Sequence, residues 1–64
     1  MFKDKLRELR KEKGLTQKQV AILLNVVESC YANWEQGRTE PSISMLKALC
    51  TIFEISADEL LELN

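Results

Sequence analysis

The sequence predicts an all-α fold of five short helices in one small domain spanning 1–64. Three observations predict it. Apolar residues recur at the three- and four-residue spacing of amphipathic helices. Gly14, Gly37 and Pro41, which are all the Gly and Pro in the chain, fall between the periodic segments. No alternating apolar–polar run with hairpin-turn chemistry occurs. A chain this short buries only about 60% of the surface its unfolded form exposes, so each cap and each core position matters.

The first helix is expected over Phe2 to Lys13, with Phe2, Leu6 and Leu9 inward. Its polar faces carry Lys3, Arg7 and Lys11 beside Asp4, Glu8 and Glu12, spaced to pair as Asp4–Arg7 and Glu8–Lys11. Gly14 ends it, because glycine takes the left-handed backbone conformation at little cost. The second helix opens at Thr16, where Thr16-Gln17-Lys18-Gln19 fits a capping box. Val20, Ala21 and Leu24 form its inward face, and one of Ile22 and Leu23 is expected to complete the core while the other stays exposed. A break at Leu24-Asn25-Val26 precedes a third helix marked by Val26, Cys30, Tyr31 and Trp34 and ended by Gly37. Pro41-Ser42 starts the fourth, with Ser42 as cap and an apolar stripe of Ile43, Leu46, Leu49, Cys50 and Phe53. The fifth is expected from Ser56 to Leu63, opened by a second capping box, Ser56 to Glu59.

Composition excludes several function classes. Nine basic against ten acidic residues give a net charge of −1, which speaks against a generic nucleic-acid glue or a polybasic membrane tail. The balance conceals a polarity. Residues 1–38 hold eight Lys and Arg against five acids, a net of +3, whereas residues 39–64 hold Lys47 alone against five acids, a net of −4. Purely apolar stretches are too short for a membrane span or a signal-peptide core, so the expectation is a soluble, intracellular chain. Cys30 and Cys50 stand 20 residues apart in a chain without His. They make no zinc site and read as small buried thiols. With no His, no glycine-rich phosphate loop and no cysteine in a charged setting, there is no nucleophile–base pair, metal site or cofactor motif, and no enzyme is expected.

The informative stretch is Gln17 to Gln36, two helices joined by a tight break. Helices that cross steeply over so short a turn need a small residue at their closest approach, which Ala21 supplies. They also need a turn residue that tolerates positive φ, which Asn25 supplies. If Tyr31 and Trp34 face the first of the two helices, then Glu28, Ser29, Ala32 and Asn33 face solvent. This describes a helix-turn-helix whose second helix can enter a DNA major groove.

At these residues the sequence resembles the Cro/cI-like (XRE) family of phage and bacterial DNA-binding regulators. The likeness runs through Leu6-Arg7-Glu8-Leu9-Arg10, Lys13-Gly14-Leu15-Thr16-Gln17, Leu24-Asn25-Val26, Asn33-Trp34-Glu35-Gln36-Gly37-Arg38, Glu40-Pro41-Ser42 and Ile55-Ser56-Ala57-Asp58-Glu59-Leu60-Leu61. It implies a compact five-helix lambda-repressor-like DNA-binding domain with the helix-turn-helix in helices 2 and 3. The implied function is sequence-specific binding of double-stranded DNA by a cytoplasmic homodimer, as a repressor on a pseudo-palindromic operator, with no small-molecule effector site evident. By resemblance, Val27, Glu28, Ser29, Ala32 and Asn33 face bases, and Gln17, Gln36, Arg38 and Thr39 contact phosphates. Arg10 and Glu35 form a structural ion pair, and Ile55, Leu60, Leu61 and Leu63 provide a dimer interface. Three positions depart from the family: Val27 stands where a capping Ser or Thr is usual, Glu28 where Arg, Gln or a small residue is common, and Ile22-Leu23 where polar residues are usual. The alternative is the same scaffold used as a protein-interaction module, antitoxin-like or co-regulatory, with weak DNA affinity.

Overall fold

The computed structural model describes residues 1–63. Five helices follow in order: α1 (Phe2–Glu12), α2 (Gln17–Leu24), α3 (Glu28–Gln36), α4 (Ile43–Phe53) and α5 (Ala57–Leu60), with no strand among the described residues. One core joins them. Leu6 and Leu9 of α1, Val20, Ala21 and Leu24 of α2, Tyr31 and Trp34 of α3, Leu49 and Phe53 of α4, and Leu60 of α5 are all buried. α3 packs on α1 and α2, α4 on α2, and α5 on both α4 and α1, so the helix-turn-helix rests on a support of three other helices.

Helix starts are set by side-chain chemistry. Thr16 Oγ1 accepts from the Gln19 amide at 3.0 Å and the Gln19 side chain accepts from the Thr16 amide at 2.8 Å, closing the expected box. Ser42 caps α4 through the Met45 amide at 3.2 Å. Ser56 caps α5 through the Glu59 amide at 3.1 Å. The second box is only half formed, because the Glu59 side chain does not return a bond and stays exposed. At Val27, the N-cap of α3, no side-chain bond exists. A hydroxyl there would satisfy an orphan amide, worth about 1 kcal/mol. Val27→Ser should therefore raise the melting temperature by several degrees, about 4–8 °C per kcal/mol in a domain of this size, as read by thermal circular dichroism.

Helix ends share one device. After each helix the chain passes through a residue at positive φ: Gly14, Asn25, Gly37, Glu54 and Glu62 in turn. The next amide then bonds back across the last turn, as Leu15 to Arg10, Val26 to Ala21, Arg38 to Asn33, Ile55 to Cys50 and Leu63 to Asp58, at 2.9–3.1 Å. This is the Schellman arrangement, which satisfies carbonyls left open at a helix end. It explains why α5 stops at Leu60 and does not continue to Leu63: Glu62, at φ 56°, has already turned the chain. It also moves the break of the helix-turn-helix to residues 25–27, since Leu24 still belongs to α2.

Other local expectations divide. Arg7 and Asp4 pair at 3.2 Å, while no Glu8–Lys11 pair forms among the described residues. Both cysteines are free and half-buried. Ile22 and Leu23 are both exposed, at 67% and 60%, against the expectation that one would enter the core. Val20, Ala21 and Leu24 already fill the inward face of α2, and residues one and two positions beyond Ala21 rotate roughly 100° and 200° away from it. No helix is long and apolar enough to cross a membrane among the described residues.

Candidate nucleic-acid interface

The geometry of the α2–α3 pair follows from what is buried between the helices. Ala21, 2% exposed, leaves room for their close approach, and Asn25 turns the chain at φ 60° and ψ 42°. On α3, Tyr31 and Trp34 pack inward, edge to face, with ring centroids 5.8 Å apart and planes at 72°. Fixing those two side chains fixes the rest of α3. Val27, Glu28, Ser29 and Gln36 are exposed, and Ala32 and Asn33 are half-buried. Of the four residues expected to face solvent, Glu28 and Ser29 do so, beside the exposed Val27 and Gln36, while Ala32 and Asn33 sit at the half-buried margin of this face.

A polar node locks this helix to the other two. Arg10 Nε donates to Glu35 Oε2 at 2.7 Å and Arg10 Nη2 to Glu35 Oε1 at 3.2 Å, a two-pronged pair from α1 to α3. A third guanidinium bond, from Nη1, reaches the Leu15 carbonyl at 2.9 Å. Gln17 Nε2 donates to Glu35 Oε1 at 3.1 Å, so the first residue of α2 joins the same carboxylate. Glu35 is the one buried charged residue among those described. Burial alone would raise its pKa, but the Arg10 fork and the Gln17 bond outweigh that and hold it below the ordinary carboxylate value. The hydrogen bond to Glu35 raises the Arg10 pKa in turn. The Tyr31 hydroxyl is buried without a hydrogen-bond partner, and burial, then the nearby Glu35 carboxylate, push its phenol pKa up.

The sign of the resulting pH dependence is fixed. A carboxylate whose folded-state pKa is depressed stabilises the fold fully above its unfolded value and loses that contribution as pH falls through the folded value. For Glu35 the loss begins as pH drops below about the ordinary 4.5. Urea titrations of the wild type and Glu35→Gln between neutral and acidic pH should therefore converge as the pH falls. The other carboxylates titrate alike in both proteins, so the difference isolates this node.

The N-terminus of α2 and the turn after α3 flank the outward strip. Thr16 caps the Gln19 amide, which leaves the first two amides of α2 without a helical partner. Gln17, expected at a phosphate, has one amide hydrogen already committed to Glu35 and is held against α3 with the other still available. Past α3, Arg38 and Thr39 are exposed. Gly37 sets their position for two reasons: it sits at φ 77°, and a Cβ there would lie 2.9 Å from Lys3 Cδ. Lys3 thus lies across the end of α3, a contact the helical stripe of basic residues did not signal.

At the far end of the molecule the expected dimer residues separate. Leu60 is 0% exposed and belongs to the core, because α5 has a single turn and docks through this side chain onto α1 and α4. It is not available to a partner. Ile55 is half-buried, Leu61 is at the edge of exposure and Leu63 is open. Ile43, assigned to the inward stripe of α4, is instead 74% exposed. Together with Leu46 and Cys50 it lines an apolar groove of about 480 Å³ with Ile55 and Leu61. Periodicity identifies such a face as apolar but does not say whether the chain itself covers it.

Residues 6–60 match the helix-turn-helix family model. The chain is 40% identical over 60 residues to the HTH-type transcriptional activator BcrR of Enterococcus faecalis, covering 94% of this chain and 29% of that protein. A transcriptional regulator from Listeria innocua superposes with a TM-score of 0.88 at 43% identity, over 94% of this chain and 56% of that one. The restriction-modification controller protein C.AhdI from Aeromonas hydrophila superposes with a TM-score of 0.84 at 36% identity, over 92% of this chain and 89% of its own. The chain spans half or less of the length of several curated regulators that it matches. The five-helix core, the α2–α3 crossing and the family match agree, and the chain belongs to the Cro/cI-like (XRE) helix-turn-helix family.

Proposed function

We propose that this chain binds double-stranded DNA sequence-specifically as a homodimer and acts as a transcriptional repressor in the bacterial cytoplasm, with α3 in the major groove. The observation that carries the reading is the outward strip of α3, held rigid from behind by Tyr31, Trp34 and the Arg10–Glu35–Gln17 node. Asn33 has the donor–acceptor pair that matches adenine N6 and N7. Glu28 accepts from cytosine N4, Ser29 bonds either partner, and Val27 and Ala32 offer apolar contact to a thymine methyl. Gln17, Gln36, Arg38 and Thr39 supply backbone contacts at the two ends of the strip, which fix register without reading sequence. Two copies place their recognition helices about 34–36 Å apart, one helical turn of DNA, so the operator is a pseudo-palindrome. Repression needs only that such a site be occupied.

The exposed Ile22 and Leu23, together with the uncapped Val27, favour a second reading, a protein-interaction module on the same scaffold. Selection of bound duplexes from a random pool at physiological salt separates the two. DNA readout gives an enriched palindrome whose affinity falls steeply with added salt, by about 0.9 logarithmic units per neutralised phosphate per decade of salt. Asn33→Ala then relaxes preference at one position per half-site, worth about 1–3 kcal/mol of discrimination. A pool that remains random after selection overturns the DNA reading and leaves the interaction module.

A further inference from the structure

Eight basic residues stand in positions 1–38, and three of them are paired within the chain: Arg7 with Asp4, Arg10 with Glu35 and Lys13 with Glu54. Lys3 is not. Its ammonium makes neither an ion pair nor a hydrogen bond among the described residues. The side chain is nevertheless held in place. It is half-buried and lies against the end of α3, with Cδ, Cε and Nζ at 2.9, 3.8 and 3.7 Å from the Cβ position that Gly37 leaves empty. With Phe2, Trp34 and Thr39 it lines a cleft of about 200 Å³ between the start of α1 and the turn after α3. Among the described residues Glu40 is the one carboxylate on that cleft; it is exposed and does not pair with Lys3. The stability of α1 does not account for this placement. Lys3 is the second residue of α1, and a cation in the first turn opposes the dipole of its own helix. A lysine packed along its stem with its charge uncommitted is suited to a ligand that brings the opposite charge.

We infer that Lys3 is a further phosphate-binding residue, reaching from α1 across the end of α3 to the DNA strand gripped by Arg38 and Thr39. The inference rests on the DNA reading above and adds a contact from outside the helix-turn-helix. Arg38 is the first residue beyond Gly37, and Thr39 shares the cleft with Lys3, so the lysine adjoins the turn that carries both. Gly37 is then required twice over, once for its positive φ and once because any side chain there would displace the lysine stem. Lysine presents a compact point charge, so the contact adds affinity and fixes register without reading sequence. Packing the stem in the free chain also reduces the rotamer freedom lost when the ammonium meets a phosphate.

Lys3→Gln tests this on the duplex selected above, titrated by fluorescence anisotropy over a range of salt. Removing one phosphate contact lowers the slope of log affinity against log salt by about 0.9 per bound chain. The gap between wild type and variant therefore narrows by about 3.5-fold per chain over a fourfold rise in salt. The weakening is uniform across duplexes, so the selected sequence does not change. Lys3→Arg keeps the charge and retains the wild-type slope. Lys47→Gln removes an equal charge from the acidic portion, where Lys47 lines the groove between α4 and α5, and leaves the slope as it was. A purely structural role at the end of α3 would lower the melting temperature of Lys3→Gln while its salt slope stayed at the wild-type value, and that result overturns the inference. So does a Lys47→Gln slope as low as that of Lys3→Gln, which would reduce the effect to net charge. A wild type that enriches no duplex overturns the DNA reading and this contact together. A duplex bound by Lys3→Gln with the wild-type slope removes the contact alone.

Discussion

Arg10→Met is expected to destabilise the domain by about 3–5 kcal/mol at neutral pH, enough to leave it largely unfolded. Removing one partner of a buried ion pair leaves the other charge uncompensated, and costs of this size are typical. A single core in a chain this small rarely supplies more than about 3–5 kcal/mol in total. Glu35 is 5% exposed and would keep only the Gln17 bond, while the Leu15 carbonyl would lose its guanidinium donor. The pH response should also change sign relative to the wild type. Without Arg10, burial dominates and raises the Glu35 pKa, so acidification neutralises the stranded carboxylate and recovers stability that the wild type loses over the same range. Arg10→Met/Glu35→Leu should regain most of the loss, because replacing both charges with apolar side chains of similar volume is often close to neutral. Urea denaturation of the wild type and the two variants at neutral and acidic pH checks all of this. Equal stability of Arg10→Met and wild type at neutral pH would show that the node does not hold the helix-turn-helix together. A recovered double variant that folds but reads DNA poorly would show that the node's role is to aim α3.

The difference between what was legible in the sequence and what was not follows the range of the interactions. Helix starts were legible because Thr16, Ser42 and Ser56 cap through bonds spanning three residues. Two helix ends were not, because Glu54 and Glu62 adopt a left-handed conformation that glutamate does not advertise. A weaker signal was present in the apolar residue just beyond four of the five turns, Leu15, Val26, Ile55 and Leu63, since a Schellman ending is often accompanied by an apolar contact. The outward strip of α3 could be read directly, because two aromatic residues at helical spacing leave only one face free. The Gln17–Glu35 bond spans 18 residues and the Lys3–Gly37 contact 34, and no local pattern encodes either. The Arg10–Glu35 pair was placed by family resemblance, and the geometry adds its two-pronged form and its third bond. Apolar spacing likewise found α4 and α5 but misjudged Ile43, and resemblance misplaced Leu60, because burial depends on which neighbour arrives to cover a face.

Leu60→Ala distinguishes core from interface at the C-terminal end and has the second largest expected effect. Resemblance assigns all three of Leu60, Leu61 and Leu63 to a dimer interface. In the fold they differ: Leu60 is fully buried while Leu63 is 68% exposed. Truncating a fully buried leucine removes its transfer free energy and leaves a cavity, costing about 2–5 kcal/mol according to how far the surroundings relax. Relaxation here is limited on one side and easy on the other. The α1 and α4 surfaces are held by the rest of the core, whereas α5 has one turn and no other buried residue. The variant should therefore lose α5 from the native ensemble before the other four helices melt, so that the amides of residues 57–63 exchange hydrogen early. Leu63→Ala should change monomer stability by less than about 0.5 kcal/mol, the range usual for surface substitutions. Because α5 forms one wall of the apolar groove, detaching it also removes that wall. Leu60→Ala should thus weaken the proposed homodimer only indirectly, with a concentration-independent loss of monomer stability preceding it. A variant that weakened association while its monomer unfolded like the wild type would return Leu60 to the interface and contradict its place in the core.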